Sequence, residues 1–262
     1  MKNDIQIIFV DIDQTLLNHY KRPSRYDKSS LRVLKKAQKK GIKVFINTAR
    51  PYHSVMHIKF FDHFKPDGLV LSNGGLVIYN NEVIYSSDIT VKDFEHFCEV
   101  VLKNNLNLEG IRKYDCFMIK DLDENTKSLF ATYPEDVPPV EDYHNQETIG
   151  ICLYAPQEYD GILKKEIPDN YLYYRFHETG VDVAPLPHDK GYAIKIVLDK
   201  LNISKDNAMA IGDDIQDISM FSEVKYGIAM GNGKEETINS ASHVTKHISK
   251  HGVKHIIKKL IF

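Results

Sequence analysis

The sequence predicts an α/β protein: a doubly wound parallel sheet carrying an inserted α+β layer. Three observations predict it. Short apolar, β-branched runs alternate with amphipathic stretches up to about residue 75 and again after Pro187, as strands buried between two helical layers do. Those runs end in acids, hydroxyls or glycines, at the sheet edge where open α/β folds bind ligands. Between Asp88 and Pro187 the rhythm changes to hairpins mixed with helices, which fits an antiparallel sheet with helices beside it.

Each element follows from its own pattern. Ile5–Val10 is an apolar strand running straight into Asp11, Asp13, Gln14 and Thr15. Ser29–Lys40 sets Leu31, Leu34 and Ala37 among lysines, a surface helix that Gly41 stops. Ile42–Asn47 is a second buried strand, ending at Thr48, Ala49 and Arg50. A helix is expected from Ser54 to about Phe64, then a strand at Gly68–Ser72 followed by Asn73, Gly74 and Gly75. Alternating runs around Asn80 and Asn81 predict a hairpin whose turn takes left-handed backbone. In the insert, helices are expected at Val91–Lys103, Asn125–Thr132 and Tyr159–Glu166. Its strands are expected at Leu108–Arg112, Cys116–Lys120, Thr148–Ala155, Tyr171–His177 and Val181–Leu186. The first rhythm then returns with a helix opened by Lys190, a strand at Asn207–Ile211, a strand and glycine turn from Tyr226, and a helix at Gly252–Leu260.

Composition narrows the function. A formal net charge of -2 over 262 residues gives no field for nucleic acid or an anionic membrane. Cys98, Cys116 and Cys152 have no CxxC spacing, which fits reduced thiols acting as small core hydrophobes. No apolar run reaches the length of a membrane span, and MKNDIQ lacks the pattern of a leader. A cytoplasmic protein with a small-molecule partner is expected.

The chemistry gathers at the strand ends. Carboxylates at the mouth of an apolar core need a metal ion, a proton or a basic partner, so Asp11 and Asp13 announce one of these. Asp11 can present an oxygen for in-line attack while Asp13 moves a proton on the leaving-group side. Thr15 can cap the turn that follows, and the hydroxyl of Thr48 can cap a helix or bond an anion near Asp11 if the two strands run parallel. Lys190, in the first turn of a helix, works against the macrodipole and so needs an acid or an anion. Asp213, Asp214 and Asp217 follow Gly212 among apolar neighbours; an oxygen-only cluster suits magnesium better than zinc.

With DIDQT at 11–15, Thr48, Lys190 and GDDIQD at 212–217 in that order, the chain resembles the haloacid dehalogenase superfamily of aspartyl phosphohydrolases. Within it the resemblance is to the Cof-type phosphatases, with their large type IIB cap between the second and third motifs. TAR at 48–50, SNGG at 72–75 and AMGNG at 229–233 extend it. The resemblance implies a Rossmann-like catalytic core from residues 1–86 and 188–262, and a cap from 87–187. It implies Asp11 as nucleophile, Asp13 as acid and base, and Thr48 and Lys190 holding the phosphoryl group. Mg2+ would be bound by Asp11, the Asp13 carbonyl and Asp213, with Asp217 in support. Thr15, Arg50, Asn73, Gly74 and Gln216 would line the substrate site. Gln14 departs from a usual glycine and Gln216 from a usual asparagine, the latter bearing on geometry around the ligands. A phosphomutase of the same superfamily would use the same aspartates, and a receiver-type or non-catalytic phospho-ligand-binding protein is a further reading. The cap is expected to choose the substrate through cationic and aromatic groups over the active-site mouth, foremost Arg175 in YYRFHE at 173–178.

Overall fold

The computed structural model describes residues 4–20, 24–132 and 137–262. The chain divides into two compact units. One comprises the chain up to Arg50, Ile58–Tyr85 and Asp189–Phe262; the other comprises Pro51–His57 and Ser86–His188.

In chain order, β1 (Ile7–Val10) leads to a small antiparallel pair, β2 (Leu17–Asn18) and β3 (Arg25–Tyr26). Asp27 caps α1 (Lys28–Gln38), whose buried side packs on the last helix; β4 (Lys43–Asn47) follows. The expected helix from Ser54 to about Phe64 is instead two pieces: α2 (Tyr52–Met56) and a 3-10 turn, Lys59–Asp62. Between them Ile58 is extended (φ -79°, ψ 113°). The break falls where the chain passes from one unit to the other, and it lets Phe60 and Phe64 bury completely. Then come β5 (Gly68–Leu71), β6 (Leu76–Tyr79) and β7 (Glu82–Ser86). Asn80 and Asn81 both take positive φ, 52° and 65°, the backbone of a two-residue primed turn.

The second unit holds α3 (Val91–Lys103), β8 (Asn107–Ile111), β9 (Cys116–Met118), α4 (Glu124–Thr132), β10 (Gly150–Tyr154), α5 (Asp160–Glu166), β11 (Tyr171–His177) and β12 (Gly180–Pro185). Its five strands run in the order β11-β12-β10-β8-β9, with antiparallel pairing throughout. Phe94, Phe97 and Val101 of α3 and Leu163 of α5 pack with Ile151, Leu153, Val181 and Val183 from one sheet face.

The chain returns with α6 (Lys190–Leu201), β13 (Ala208–Gly212), α7 (Ile218–Ser222), β14 (Tyr226–Ala229), α8 (Glu235–Ser240), β15 (His243–Val244) and α9 (Gly252–Ile261). The first unit's sheet has the order β15-β14-β13-β1-β4-β5-β6-β7, parallel from β15 to β5. Ile7 and Phe9 of β1 pack with Ile194, Val197 and Leu198 of α6. Central β1 is in register with both neighbours: Val10 faces Ile46 of β4 and Ile211 of β13. That register decides the site, because the residues after all three strands are delivered to one edge. Among the described residues no helix is long and apolar enough to cross a membrane.

Candidate active site

At that edge Asp11 is buried, 5% exposed, and its Oδ1 accepts a hydrogen bond from Lys190 Nζ at 2.7 Å. The ammonium, 3% exposed, also donates to Asp217 Oδ1 at 2.5 Å. Lys190 therefore has two acidic partners at the start of α6, and Asp189, not Lys190, caps that helix by accepting from the Tyr192 amide at 2.7 Å. Asp217 Oδ2 accepts from the backbone amides of Asp213 and Asp214 at 2.7 and 2.9 Å. This approach needs Gly212, since a Cβ there would lie 2.3 Å from Asp217 Cγ.

Thr15 does not cap the turn; its hydroxyl donates to Asp213 Oδ1 at 2.7 Å across 198 residues of sequence. Thr48 does not cap a helix either, because α2 starts beyond Pro51; its buried Oγ1 accepts from the Arg50 amide at 3.2 Å. Oxygens of Asp11, Asp213 and Asp217 lie within 4.8 Å of one another. Burial pushes the Asp11 carboxyl well up, Lys190 pulling against it while Asp217 and Asp213 add to the rise. Burial, with Asp217, pushes Asp213 up to about 7, although the Thr15 hydroxyl opposes. Lys190 is held protonated despite its burial by Asp11 and Asp217. One ammonium cannot balance three buried carboxylates, so the cluster attracts a further cation. Its all-oxygen donors fit a hard divalent ion.

The carboxylate of Asp13 stands apart from that cluster. The Arg50 guanidinium grips it in a fork, Nε to Oδ2 at 2.8 Å and Nη2 to Oδ1 at 2.9 Å, and His19 Nε2 lies 2.5 Å from Oδ1. Burial raises its carboxyl, but His19 and Arg50 outweigh that and hold it well below the usual carboxylate range. His19 was not readable as a site residue. It reaches Asp13 because the turn from Ile12 to Leu17 doubles the chain back, the Gln14 amide donating to the Leu17 carbonyl and the Leu17 amide to the Ile12 carbonyl, both at 2.8 Å.

Gln14 adopts φ 55°, a left-handed backbone that explains why glycine is common there; its Oε1 accepts from the His19 amide at 3.3 Å. Its carbonyl accepts from Asn232 Nδ2 at 2.9 Å, so the AMGNG turn clasps the loop that follows β1. Asn73 and Gly74 also reach this edge, since the Asn73 amide donates to the Thr48 carbonyl at 3.2 Å. The side-chain oxygens of Ser72 and Asn73 are buried and have no hydrogen-bond partner among the described residues. Gly74, at φ 97°, packs where a Cβ would meet the Asp189 carbonyl at 2.3 Å. Gln216 is half-buried, its carbonyl accepting from Ser219 Oγ at 3.1 Å. Arg175 belongs to the second unit. Its Nε and Nη2 engage Asp160, and its Nη1 donates to the carbonyls of Ala155, His177 and Glu178 at 3.0, 3.1 and 2.9 Å.

A mostly parallel sheet whose strand ends bring together buried carboxylates, an ammonium and a hydroxyl places the chain among α/β proteins with a cation-attracting site at the strand ends. The family model of the haloacid dehalogenase-like hydrolases matches residues 8–257, and the chain belongs to that family. Phosphatase YwpJ of Bacillus subtilis is 26% identical over 281 residues, covering 92% of this chain and 94% of its own. The 5-amino-6-(5-phospho-D-ribitylamino)uracil phosphatase YcsE of the same organism is 23% identical over 245 residues, covering 92% and 90%. Among solved structures, the subclass IIB sugar phosphatase BT4131 superposes with a TM-score of 0.80 at 25% identity, covering 97% of this chain and 98% of its own.

Proposed function

We propose that this chain is a Mg2+-dependent phosphatase that hydrolyses small phosphate monoesters through an aspartyl-phosphate formed on Asp11. The observation that carries the reading is the cluster of Asp11, Asp213 and Asp217 on one ammonium at the end of the central strand. Asp11 and Asp213 would hold the ion, together with the Asp13 carbonyl; Asp217, with both oxygens engaged by N–H donors, keeps Lys190 and the turn in place. Bound there, Mg2+ would supply the positive charge that lets two anions, carboxylate and phosphate, approach.

Asp11 Oδ attacks phosphorus, the bond to the ester oxygen breaks with its electron pair on the leaving alkoxide, and Asp13 gives that oxygen a proton. Water then attacks the acyl phosphate, giving its proton to Asp13 and restoring the Asp11 carboxylate as phosphate leaves. As placed, Asp13 is an ionised base. Its acid step requires that the His19 and Arg50 contacts loosen when substrate enters and that Asp13 take up a proton from solvent before the leaving group departs. Thr48 and Lys190 steady the phosphoryl oxygens, and residues 87–187 serve as the cap that carries substrate choice. Sugar phosphates and phosphorylated cofactors are the substrate class; BT4131 is named a sugar phosphatase, and YcsE acts on a phosphoribityl compound.

The test is release of inorganic phosphate across a panel of monoesters. Asp11→Asn is expected to lose roughly 10⁴-fold or more in kcat, since an amide is a poor nucleophile. EDTA should silence the wild type and Mg2+ restore it. Full turnover in Asp11→Asn, or indifference to chelation, overturns the reading.

A further inference from the structure

The second unit contains a separate cluster that the phosphatase reading leaves unused. One face of its sheet is covered by α3 and α5. On the opposite face a single cross-strand row runs Tyr174, Asp182, Cys152, Glu109, Met118. Two carboxylates thus share one face with β10 between them. Burial, with the charge of Glu109, pushes Asp182 up to about 7. Glu109 is 8% exposed, and its Oε2 accepts from the Tyr154 hydroxyl at 2.6 Å.

Cys116, buried on the same face two residues before Met118, meets His53 from α2, with Sγ and Nε2 3.2 Å apart. One donor atom each from His53, Glu109 and Cys116 lie within 4.8 Å of one another. Among the described residues His53 Nδ1 is buried with no hydrogen-bond partner, while Nε2 faces the cluster.

We propose that His53, Glu109 and Cys116 form a binding site for a divalent cation of the zinc class. Thiolate, imidazole and carboxylate are the donors such an ion selects, whereas magnesium takes oxygen. Tetrahedral coordination with zinc-like bond lengths sets donors roughly 3.3–3.8 Å apart. The observed Nε2–Sγ pair is already close to that edge, and the remaining donors need shifts of about 1 Å. Binding replaces the thiol proton, which goes to solvent, so a +2 ion meets one thiolate and one carboxylate and the buried charge closes. Three protein donors leave a fourth position for water or an added ligand. Tyr154, hydrogen-bonded to Glu109, supports the carboxylate from behind. Such an ion pins Pro51–His57 to the five-stranded sheet through His53, Glu109 and Cys116.

Cobalt is the probe, because a sulfur ligand gives Co2+ a thiolate charge-transfer band that the all-oxygen cluster around Asp11 cannot give. Titration of the full-length wild type with Co2+ under excess Mg2+ is expected to develop that band and saturate at one cobalt per chain, and Zn2+ to bleach it. Asp213→Asn and Cys152→Ser should keep the band, while Cys116→Ser should lose it. His53→Gln should weaken Co2+ by at least roughly tenfold. His53→Gln tests the site independently if Cys116→Ser fails to fold. Absence of the band in the wild type, its survival in Cys116→Ser, or unchanged affinity in His53→Gln overturns the site. Because the readout is sulfur ligation, failure here leaves the phosphatase reading standing, and loss of phosphate release leaves this site standing.

Discussion

Lys190 touches two buried carboxylates through one nitrogen, so its removal strands both. Lys190→Met is expected to abolish turnover and to cost the metal-free protein about 3–5 kcal/mol in denaturant unfolding, as breaking a buried ion pair does. Added Mg2+ should recover part of that stability, since an ion at Asp11 and Asp213 replaces the missing charge. Asp182 supplies a pH dependence. Its folded pKa of about 7 lies above the ordinary value of 3.8, so the folded state binds the extra proton between those limits. Chelated protein should therefore lose stability as pH rises from about 4 to about 7, and Asp182→Asn should make that slope shallower in melts, leaving the part that Asp11 and Asp213 contribute. Individual residues were unevenly legible. Asp11, Asp213 and Lys190 declared themselves because acids and a lysine at the ends of apolar elements need partners. His19 and the Asp13–Arg50 fork did not, because a six-residue fold-back and a pairing across 37 residues leave no trace in spacing.

At the level of elements, hydrophobic period identified the central strands, α1, α3, α6 and α9, all long enough to show it. The stretch from Ser54 to Phe64 misled, since its aromatic spacing imitates a helix while the chain changes unit at Ile58. The capping roles expected for Thr48 and Thr15 fail for a related reason. Both resemble caps, yet one hydroxyl accepts from a loop amide and the other donates to an acid in a remote segment. The junction of Gly74 with the start of α6 offers a test. Gly74→Ala forces a Cβ toward the Asp189 carbonyl at positive φ, so a loss of at least about 1–2 kcal/mol is expected. Because Asp189 precedes Lys190, kcat should fall as well; a variant with wild-type melting and kcat would contradict the contact.

On the scale of the whole molecule, the parallel core and the hairpin-rich insert were both visible as changes of rhythm, and membership of the haloacid dehalogenase-like hydrolases agrees with the motif order. The sequence offered Arg175 as the cap's foremost substrate-choosing residue. Its guanidinium is committed to Asp160 and three carbonyls of its own unit. Arg175→Ala is accordingly expected to lower thermal stability by about 1–3 kcal/mol, as losing a charged hydrogen-bonding group does, with kcat/KM for p-nitrophenyl phosphate near wild type. A change in substrate preference without loss of stability would return Arg175 to recognition. The strand order of the first unit also sets a schedule. Central β1 is flanked by β4, made almost at once, and by β13, which begins at Ala208. At roughly 5–20 residues per second, a ribosome leaves one side of β1 unpaired for about 10–40 s while the second unit is completed. Nascent chains stalled before residue 208 should therefore yield a protease-resistant second unit and a digestible remainder, the interval in which this protein depends most on chaperones.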